Sequence, residues 1–182
     1  MENVRQKALR NSKLLGRGLE LASGMRMDAQ LVELAGRNWL TSQLLGASIE
    51  VARPERDRGI DLIAYIDRHN SGKFIACPIQ MKAATETIFS LTPKYKQFPG
   101  MVLAYVWYIN DSAKTTCYAL TYREALVIAR KIGRTKTESW RTGGRSKQPG
   151  YTTTKVGLRL RELLAPYQMA SPAKWRNRLI RR

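Results

Sequence analysis

Three polar residues in an otherwise apolar pair of segments have the types and spacing to do chemistry: Asp61, Gln80 and Lys82. The apolar runs 60–66 and 74–81 are separated by turn-forming residues, so the sequence predicts an antiparallel hairpin. Side chains alternate along a strand, which places Gln80 and Lys82 on the same side and brings both near Asp61. A carboxylate, an amide oxygen and an ammonium group that converge at one sheet end suit a hard cation and a phosphate.

The rest of the sequence leaves few other hydrolytic schemes. The chain has one histidine, His69, and two isolated cysteines, Cys77 and Cys117. Nucleases built on paired histidines and most Ser-His or Cys-His hydrolases therefore do not fit, and the cysteines predict buried thiols. The sequence also lacks a Gly-x-x-x-x-Gly-Lys-Ser/Thr loop and a Gly-x-Gly-x-x-Gly motif. For a phosphodiester substrate, a metal held by carboxylates with an assisting lysine remains.

Such a site assigns a role to each of the three residues. The cation would orient the scissile phosphate and lower the pKa of an attacking water. Asp61 would be a direct ligand, and Lys82 would stabilise the developing negative charge or position the water. Gln80 would offer a neutral oxygen, so we expect weaker cation binding than a glutamate at that position would give.

The elements that must position these residues can also be predicted. Asp28 is a typical N-cap, and apolar residues at helical spacing predict a helix that contains Glu33 and ends at Gly46. The remaining pattern predicts strands and helices over 49–52, 101–109, 115–120, 124–132 and 155–164. Together these elements predict an α/β fold, with a mixed central sheet of about four strands flanked by helices.

The order of these elements and their polar residues resembles the PD-(D/E)xK nuclease superfamily, which has the restriction-endonuclease-like fold. Asp61 matches the motif aspartate, Lys82 matches the motif lysine, and Gln80 stands at the second acidic position. Glutamine is a departure that some members share. The literal Pro-Asp pair is also absent, because Gly59 and Ile60 precede the aspartate. The resemblance covers residues 28–133.

The resemblance implies a metal-dependent DNA endonuclease that uses Mg²⁺ or Mn²⁺. In the superfamily a glutamate on the first helix often joins the metal site, so the implied ligands are Asp61, Gln80 and Glu33; a solvated surface acid is the alternative for Glu33. Two other functions stay open: a DNA-binding module without catalysis, and a subunit of a mobile-element or defence complex that retains the nuclease fold. A homodimer would place two sites on two DNA strands, and we keep it as a hypothesis.

The charge of the chain points to a polyanion and is concentrated in one region. The formal net charge is +18. Residues 28–120 carry ten basic and nine acidic residues, whereas residues 121–182 carry sixteen and three. A strongly basic surface attracts nucleic acid through sequence-independent phosphate contacts. An anionic membrane would favour a basic amphipathic helix with a bulky apolar face, which the scattered apolar residues of the tail do not provide.

Several cations are candidates for contact with DNA phosphates. Three lie in the charged loop that leads to Asp61, where a local salt network with Glu55 and Asp57 is the alternative. The others lie in the basic C-terminal third, where Trp175 is expected either to pack on the core or to stack on bases. The nine predicted DNA-binding residues are Arg53, Arg56, Arg58, Arg141, Arg145, Lys147, Lys174, Arg176 and Arg178.

The same composition predicts the organisation of the chain and its compartment. We expect a basic N-terminal arm over 1–27, a nuclease-like core over 28–133 and a basic C-terminal extension over 134–182. No apolar run approaches the roughly 20 residues of a membrane span, and the N-terminus lacks the apolar region of a signal peptide. A cytoplasmic location is therefore expected.

Overall fold

The computed structural model of the protein describes residues 27–56, 58–68, 72–144 and 147–180. The predicted N-terminal arm, except for Met27, lies outside the described residues, as do His69 and Arg145. Within the described part, no helix is long and apolar enough to cross a membrane.

The first helix, α1 (Ala29–Gly46), forms as the sequence predicts. The Asp28 side chain accepts a hydrogen bond from the main-chain nitrogen of Leu31 at 2.8 Å, which satisfies one of the unpaired N–H groups of the first turn. The buried face of the helix carries Gly36, Leu40 and Leu44, at the spacing of one helical stripe.

The predicted hairpin is confirmed. Strands β2 (Leu62–Arg68) and β3 (Lys73–Ala83) pair antiparallel in a continuous register that runs from Leu62 opposite Ile79 to Arg68 opposite Lys73. A short edge strand, β1 (Glu50–Ala52), pairs antiparallel with β2 on its other side.

Two further strands complete a mixed five-stranded sheet. Strand β5 (Val102–Trp107) lies parallel to β3, and β6 (Thr116–Thr121) pairs antiparallel with β5. The strand order is β1-β2-β3-β5-β6, so β3 and β5 are interior strands. All six residues of β5 are buried, as its continuous apolar run predicts.

Two hydrophobic clusters lie on opposite faces of this sheet. One contains even-numbered residues of β5 together with Leu40, Leu44 and Trp175. The other contains odd-numbered residues of β5 together with Phe89, Ile128 and Leu160. Helices therefore cover both faces, which confirms the predicted α/β architecture and adds one strand to the four expected.

The remaining elements surround these clusters. They are β4 (Phe89–Leu91), α2 (Tyr122–Lys131), α3 (Glu138–Thr142), β7 (Tyr151–Thr153), α4 (Leu158–Leu164) and α5 (Pro172–Ile180). Strands β4 and β7 form a separate two-stranded sheet, and a 3₁₀ turn spans Pro93–Gln97. Trp175 on α5 is 1% exposed, which confirms that it packs on the core.

Proline has no N–H to donate, so Pro78 predicts that β3 lies at a sheet edge there or is bulged; the strand has no bulge, and the edge is a local one on the β5 side. The strand is interior, and its register with β2 is unbroken across Ile63 and Pro78. Ile79 directs its carbonyl oxygen towards Asp61, so the preceding proline turns its nitrogen to the other side. Pairing with β5 begins only at Ile79, so the sheet requires no N–H donor from Pro78.

Candidate active site at the free edge of β3

The candidate site lies where β3 extends beyond its neighbour β2. Strand β2 begins at Leu62, which pairs with Ile79, whereas β3 continues to Ala83 and pairs there only with β5. The main-chain groups of Met81 therefore face a side with no strand partner. Asp61 supplies the missing acceptor, because its Oδ2 lies 2.6 Å from the main-chain nitrogen of Met81.

Gln80 joins the same arrangement. Its Nε2 donates to Oδ2 of Asp61 at 2.6 Å and to the carbonyl oxygen of Met81 at 3.1 Å. The residue is 6% exposed, so these hydrogen bonds also satisfy a buried amide. The predicted proximity of Asp61 and Gln80 is confirmed, although the amide nitrogen, not the oxygen, faces the carboxylate.

A cavity of about 260 Å³ brings the four predicted catalytic residues together. It is lined by Ala29, Glu33, Asp61, Gln80, Met81, Lys82 and Ala83. Met81 and Ala83 pack towards α1, so Gln80 and Lys82, at alternate positions, project from the opposite face of β3. The cavity therefore curves around the strand edge, with Glu33 contributed from the α1 side.

Gly36 explains why Glu33 reaches this cavity. A Cβ placed on Gly36 would overlap the Cβ of Ala83 and lie 3.3 Å from the sulfur of Met81. The glycine lets α1 lie close against β3, and Glu33 is one turn earlier on the same helix. Glu33 also forms an ion pair with Arg37, its neighbour one turn further along.

Gly59 lies next to Gln80, with Tyr95 beside it, and neither was predicted. Gly59 has a φ of +88°, which disfavours any residue with a Cβ. A Cβ at this position would lie 3.6 Å from Oε1 of Gln80 and 3.7 Å from Cε1 of Tyr95. Gly59 precedes Asp61 by two residues, so its turn fixes how the chain enters β2. The only sequence signal for Gly59 was its place just before the aspartate.

The site offers oxygen atoms that fit a hard cation, but few charges. Among the described residues, no group of three or more His, Cys, Asp or Glu side chains is arranged to hold a metal ion. The available oxygens belong to two carboxylates, Asp61 and Glu33, to the amide of Gln80 and to the main chain of Met81. Mg²⁺ is commonly held by one or two carboxylates together with water and substrate phosphate, and this set fits that mode.

The predicted DNA-binding residues of the loop before Asp61 are exposed. Arg53 contacts Oδ1 of Asn38 on α1 at 3.4 Å, and Arg56 and Arg58 are exposed. Arg58 directly precedes Gly59, whose turn leads the chain to Asp61. These positions are compatible with phosphate contacts beside the cavity.

The predicted DNA-binding residues of the C-terminal third have different surroundings. Arg141, Lys147 and Lys174 are exposed. Arg176 donates to the carbonyl oxygen of Ala47 at 3.1 Å, at the C-terminal end of α1. Ala47 is fourteen residues beyond Glu33, or about 21 Å along a helix, so Arg176 lies far from the cavity.

Arg178 is engaged within the protein. Its Nη1 contacts the two carboxylate oxygens of Glu124 at 2.9 and 3.0 Å, and its guanidinium lies 5.4 Å from the ring centre of Tyr167. Only 17% of its side chain is exposed. Burial alone would raise the pKa of Glu124, but hydrogen bonds from Thr121 and Arg178 outweigh this and hold the pKa below its ordinary value.

Comparison of the chain with protein-family models, with curated proteins and with solved structures found no match.

Proposed function

We propose that the chain is a metal-dependent DNA endonuclease of the PD-(D/E)xK type with Gln-x-Lys in place of Glu-x-Lys. The observation that carries this proposal is the convergence of Asp61, Gln80, Lys82 and Glu33 on one cavity at the free edge of β3. Two hydrogen bonds to Oδ2 fix the Asp61 carboxylate there, so it is preorganised rather than mobile on a loop.

The cation would be Mg²⁺ or Mn²⁺, held by Asp61 and Glu33 with oxygens from Gln80 or the main chain of Met81. When bound, it would supply charge neutralisation for the scissile phosphate and acidify an attacking water. For the Gln80 oxygen to join the ligands, its amide must turn over, which breaks the hydrogen bond from Nε2 to Asp61. The amide group is therefore the part of the site that must rearrange.

Lys82 has the complementary role. It lies on the same side of β3 as Gln80 and lines the same cavity. An ammonium group beside a phosphate stabilises the negative charge that develops on the phosphoryl oxygens during in-line attack. Lys82 is two residues from Gln80 on an interior strand of the sheet. Pairing with Tyr105 of β5 holds its main chain on one side.

DNA is the proposed substrate because of the charge distribution. Residues 121–182 carry sixteen basic and three acidic residues. Arg141, Lys147 and Lys174 are exposed in this part of the chain, and exposed cations of this density support sequence-independent binding to phosphates.

A DNA-binding module without catalysis is the second candidate function, and a specific observation favours it. Neutral N–H donors from Gln80 and Met81 already meet Oδ2 of Asp61, and Glu33 is paired with Arg37. In this arrangement the site is held together without a cation. Calorimetric titration with Mn²⁺ separates the two candidates, because only a nuclease requires cation binding that depends on Asp61.

Cleavage of supercoiled plasmid in Mg²⁺ or Mn²⁺ tests the proposed activity. Asp61→Asn and Lys82→Gln should abolish nicking, whereas Asp67→Asn and Lys73→Gln should retain it. The control residues lie on the same two strands but at the hairpin end, about 20 Å or more from the cavity at strand rise. Full cleavage by Asp61→Asn, or no cleavage by the wild-type protein in either metal, would contradict the proposal.

A further inference from the structure

A second and larger cavity lies on the other side of the 3₁₀ turn Pro93–Gln97, between that turn, α2 and α3. Its volume is about 520 Å³, twice that of the candidate active site and within the range of small-molecule pockets. The wall is mostly apolar and includes the rings of Tyr122 and Trp140. Two cations, Lys96 and Arg130, also line it, and no acidic side chain does so among the described residues.

The cations and the aromatic rings belong to the same space. Burial raises the pKa of Tyr122, and the nearby charge of Arg130 acts in the opposite direction. Both residues line the cavity, so a cation and an aromatic ring share its wall. Arg130 and Lys96 are both exposed, so the charged groups lie at the open side while Tyr122 is buried.

Trp140 is held in place by the segment around it. Its main-chain nitrogen donates to the hydroxyl of Thr137, the N-cap of α3. The preceding residue, Ser139, donates from its hydroxyl to the carbonyl oxygen of Gly150 at 2.8 Å, and its own carbonyl accepts from the Gly150 nitrogen at 3.0 Å. These bonds tie α3 to the residue before β7, so the main chain that carries the indole is held in place.

We propose that this cavity binds one nucleotide of a single-stranded nucleic acid, with its base against Trp140 and its phosphate between Lys96 and Arg130. An apolar wall with an aromatic face accepts any base, and two cations without an acid complement a phosphate. A base that is stacked within a duplex has no free face to offer the indole, so the nucleotide must be extrahelical or single-stranded.

The position of the second cavity relates nucleotide binding to the proposed nuclease activity. The role of that binding in cleavage rests on the proposed function. Tyr95 lies beside Gly59, which is next to Gln80, while Pro93 and Lys96 of the same turn line the second cavity. Residues of one five-residue 3₁₀ turn thus lie near both sites, and in this proposal a single strand crosses the turn from one to the other. The combination favours a substrate with a single-stranded or unpaired segment next to the cleavage point.

Fluorescence titration of the full chain with a short single-stranded oligodeoxyadenylate and with its abasic counterpart tests the inference. The base-containing strand should quench tryptophan fluorescence and bind more tightly than the abasic strand. Trp140→Leu should weaken oligodeoxyadenylate binding roughly 5-fold to 150-fold, since one stacked base contributes about 1–3 kcal/mol. Trp140→Phe, which keeps an aromatic face, should restore most of the affinity.

Arg130→Gln supplies a second, independent variant in case Trp140→Leu loses stability. It should weaken binding and flatten the dependence of log affinity on log salt by roughly 0.7, the value for one phosphate contact on a single strand. Lys131→Gln is the matched control, because it removes the same charge from the next exposed position of α2. Thermal unfolding of each variant checks that the fold persists.

Three outcomes would overturn the inference. The first is wild-type affinity in both Trp140→Leu and Arg130→Gln, and the second is equal binding of the base-containing and the abasic strand. The third is Trp140-dependent binding of polyglutamate that is tighter than the binding of oligodeoxyadenylate, which would indicate an acidic protein partner. The nuclease proposal is judged separately by plasmid cleavage. Loss of cleavage in Asp61→Asn with intact oligodeoxyadenylate binding would support both, and cleavage without Trp140-dependent binding would remove only the second cavity.

Discussion

The amide nitrogen of Gln80 lies 2.6 Å from Oδ2 of Asp61 and 3.1 Å from the carbonyl oxygen of Met81. Two oxygen atoms thus face one nitrogen at the edge of β3, where β2 has ended. A cation that used both oxygens would have to displace this N–H group, so under the proposed function Gln80 would compete with the metal in one orientation and join its ligands in the other. Glutamate at position 80 would remove that competition.

We therefore predict that Gln80→Glu binds Mn²⁺ more tightly than the wild-type protein and is less stable without metal. The new carboxylate would lie beside Asp61, and like charges that share a site raise the pKa of one of them. An acid whose folded pKa is raised loses stability as pH rises through its ordinary, unfolded value. Calorimetric titration at neutral pH, and thermal unfolding from acidic to neutral pH with and without Mn²⁺, measure the two effects.

Gln97→Glu is the control for added charge, because Gln97 is an exposed residue of the 3₁₀ turn. It should leave metal affinity unchanged. If Gln80→Glu has the metal affinity and the pH dependence of the wild-type protein, Gln80 does not belong to a cation site.

Asp61→Ala and Lys82→Ala should both abolish cleavage and leave DNA affinity within a few-fold, because neither residue belongs to the basic C-terminal third. Their effects on stability should differ. Asp61→Ala leaves the Met81 nitrogen and the Gln80 amide without their acceptor, which costs about 1–3 kcal/mol for a buried group. Denaturant unfolding, single-turnover cleavage and binding titration of the two variants test this; equal stabilities would mean that Asp61 does not hold the strand edge.

Gly36→Ala is predicted to impair cleavage although it changes no residue of the cavity. The added methyl group would overlap Ala83 and force α1 away from β3, which displaces Glu33. Helix propensity alone would favour alanine by about 1 kcal/mol, so a net loss of stability would identify the close contact as the cause. Gly46→Ala is the matched control, because a Cβ there meets nothing within 4 Å.

The pattern of apolar, polar and turn-forming residues along the sequence predicts some features of the structure but not others. Periodicity and turn residues predicted α1, the hairpin and β5, and the alternation of side chains brought Gln80 to Asp61. The sequence did not predict which atom of the Gln80 amide faces Asp61, since that depends on the unpaired main chain of Met81. Nor did it predict the second cavity, because Lys96, Arg130 and Trp140 come from three separate segments.

Glu124→Gln should destabilise the protein at neutral pH and much less in acid. Because the pKa of Glu124 is lowered in the folded protein, its contribution to the free energy of unfolding is fully present above the ordinary pKa of a glutamate. This contribution is lost as pH falls through the lower pKa of the folded state. The charged hydrogen bonds from Arg178 contribute about 1.5–3 kcal/mol. Thermal unfolding across pH measures the difference, and Glu162→Gln, an exposed acid on α4, is the control. A pH-independent loss would contradict the assignment.

The basic helix α5 provides a test of which cations hold DNA. Deleting residues 171–182 is a poor test, because Trp175 and Leu179 are buried and the variant should lose stability. Single substitutions are sharper. Lys174→Gln removes an exposed cation, so DNA affinity should fall for every sequence and the salt slope on duplex DNA should flatten by roughly 0.9.

Arg178→Gln removes the same charge from the same helix, but its guanidinium is held by Glu124 and Tyr167. We expect it to lower the unfolding temperature and leave the salt slope unchanged, since an arginine already paired with a carboxylate has little charge to offer a phosphate. Salt-dependent binding titrations and thermal unfolding of the two variants decide between packing and DNA contact for each cation. A flattened slope in Arg178→Gln with unchanged stability would show that Arg178 leaves Glu124 to bind DNA. Unchanged slopes in both variants would instead show that neither Lys174 nor Arg178 contacts DNA.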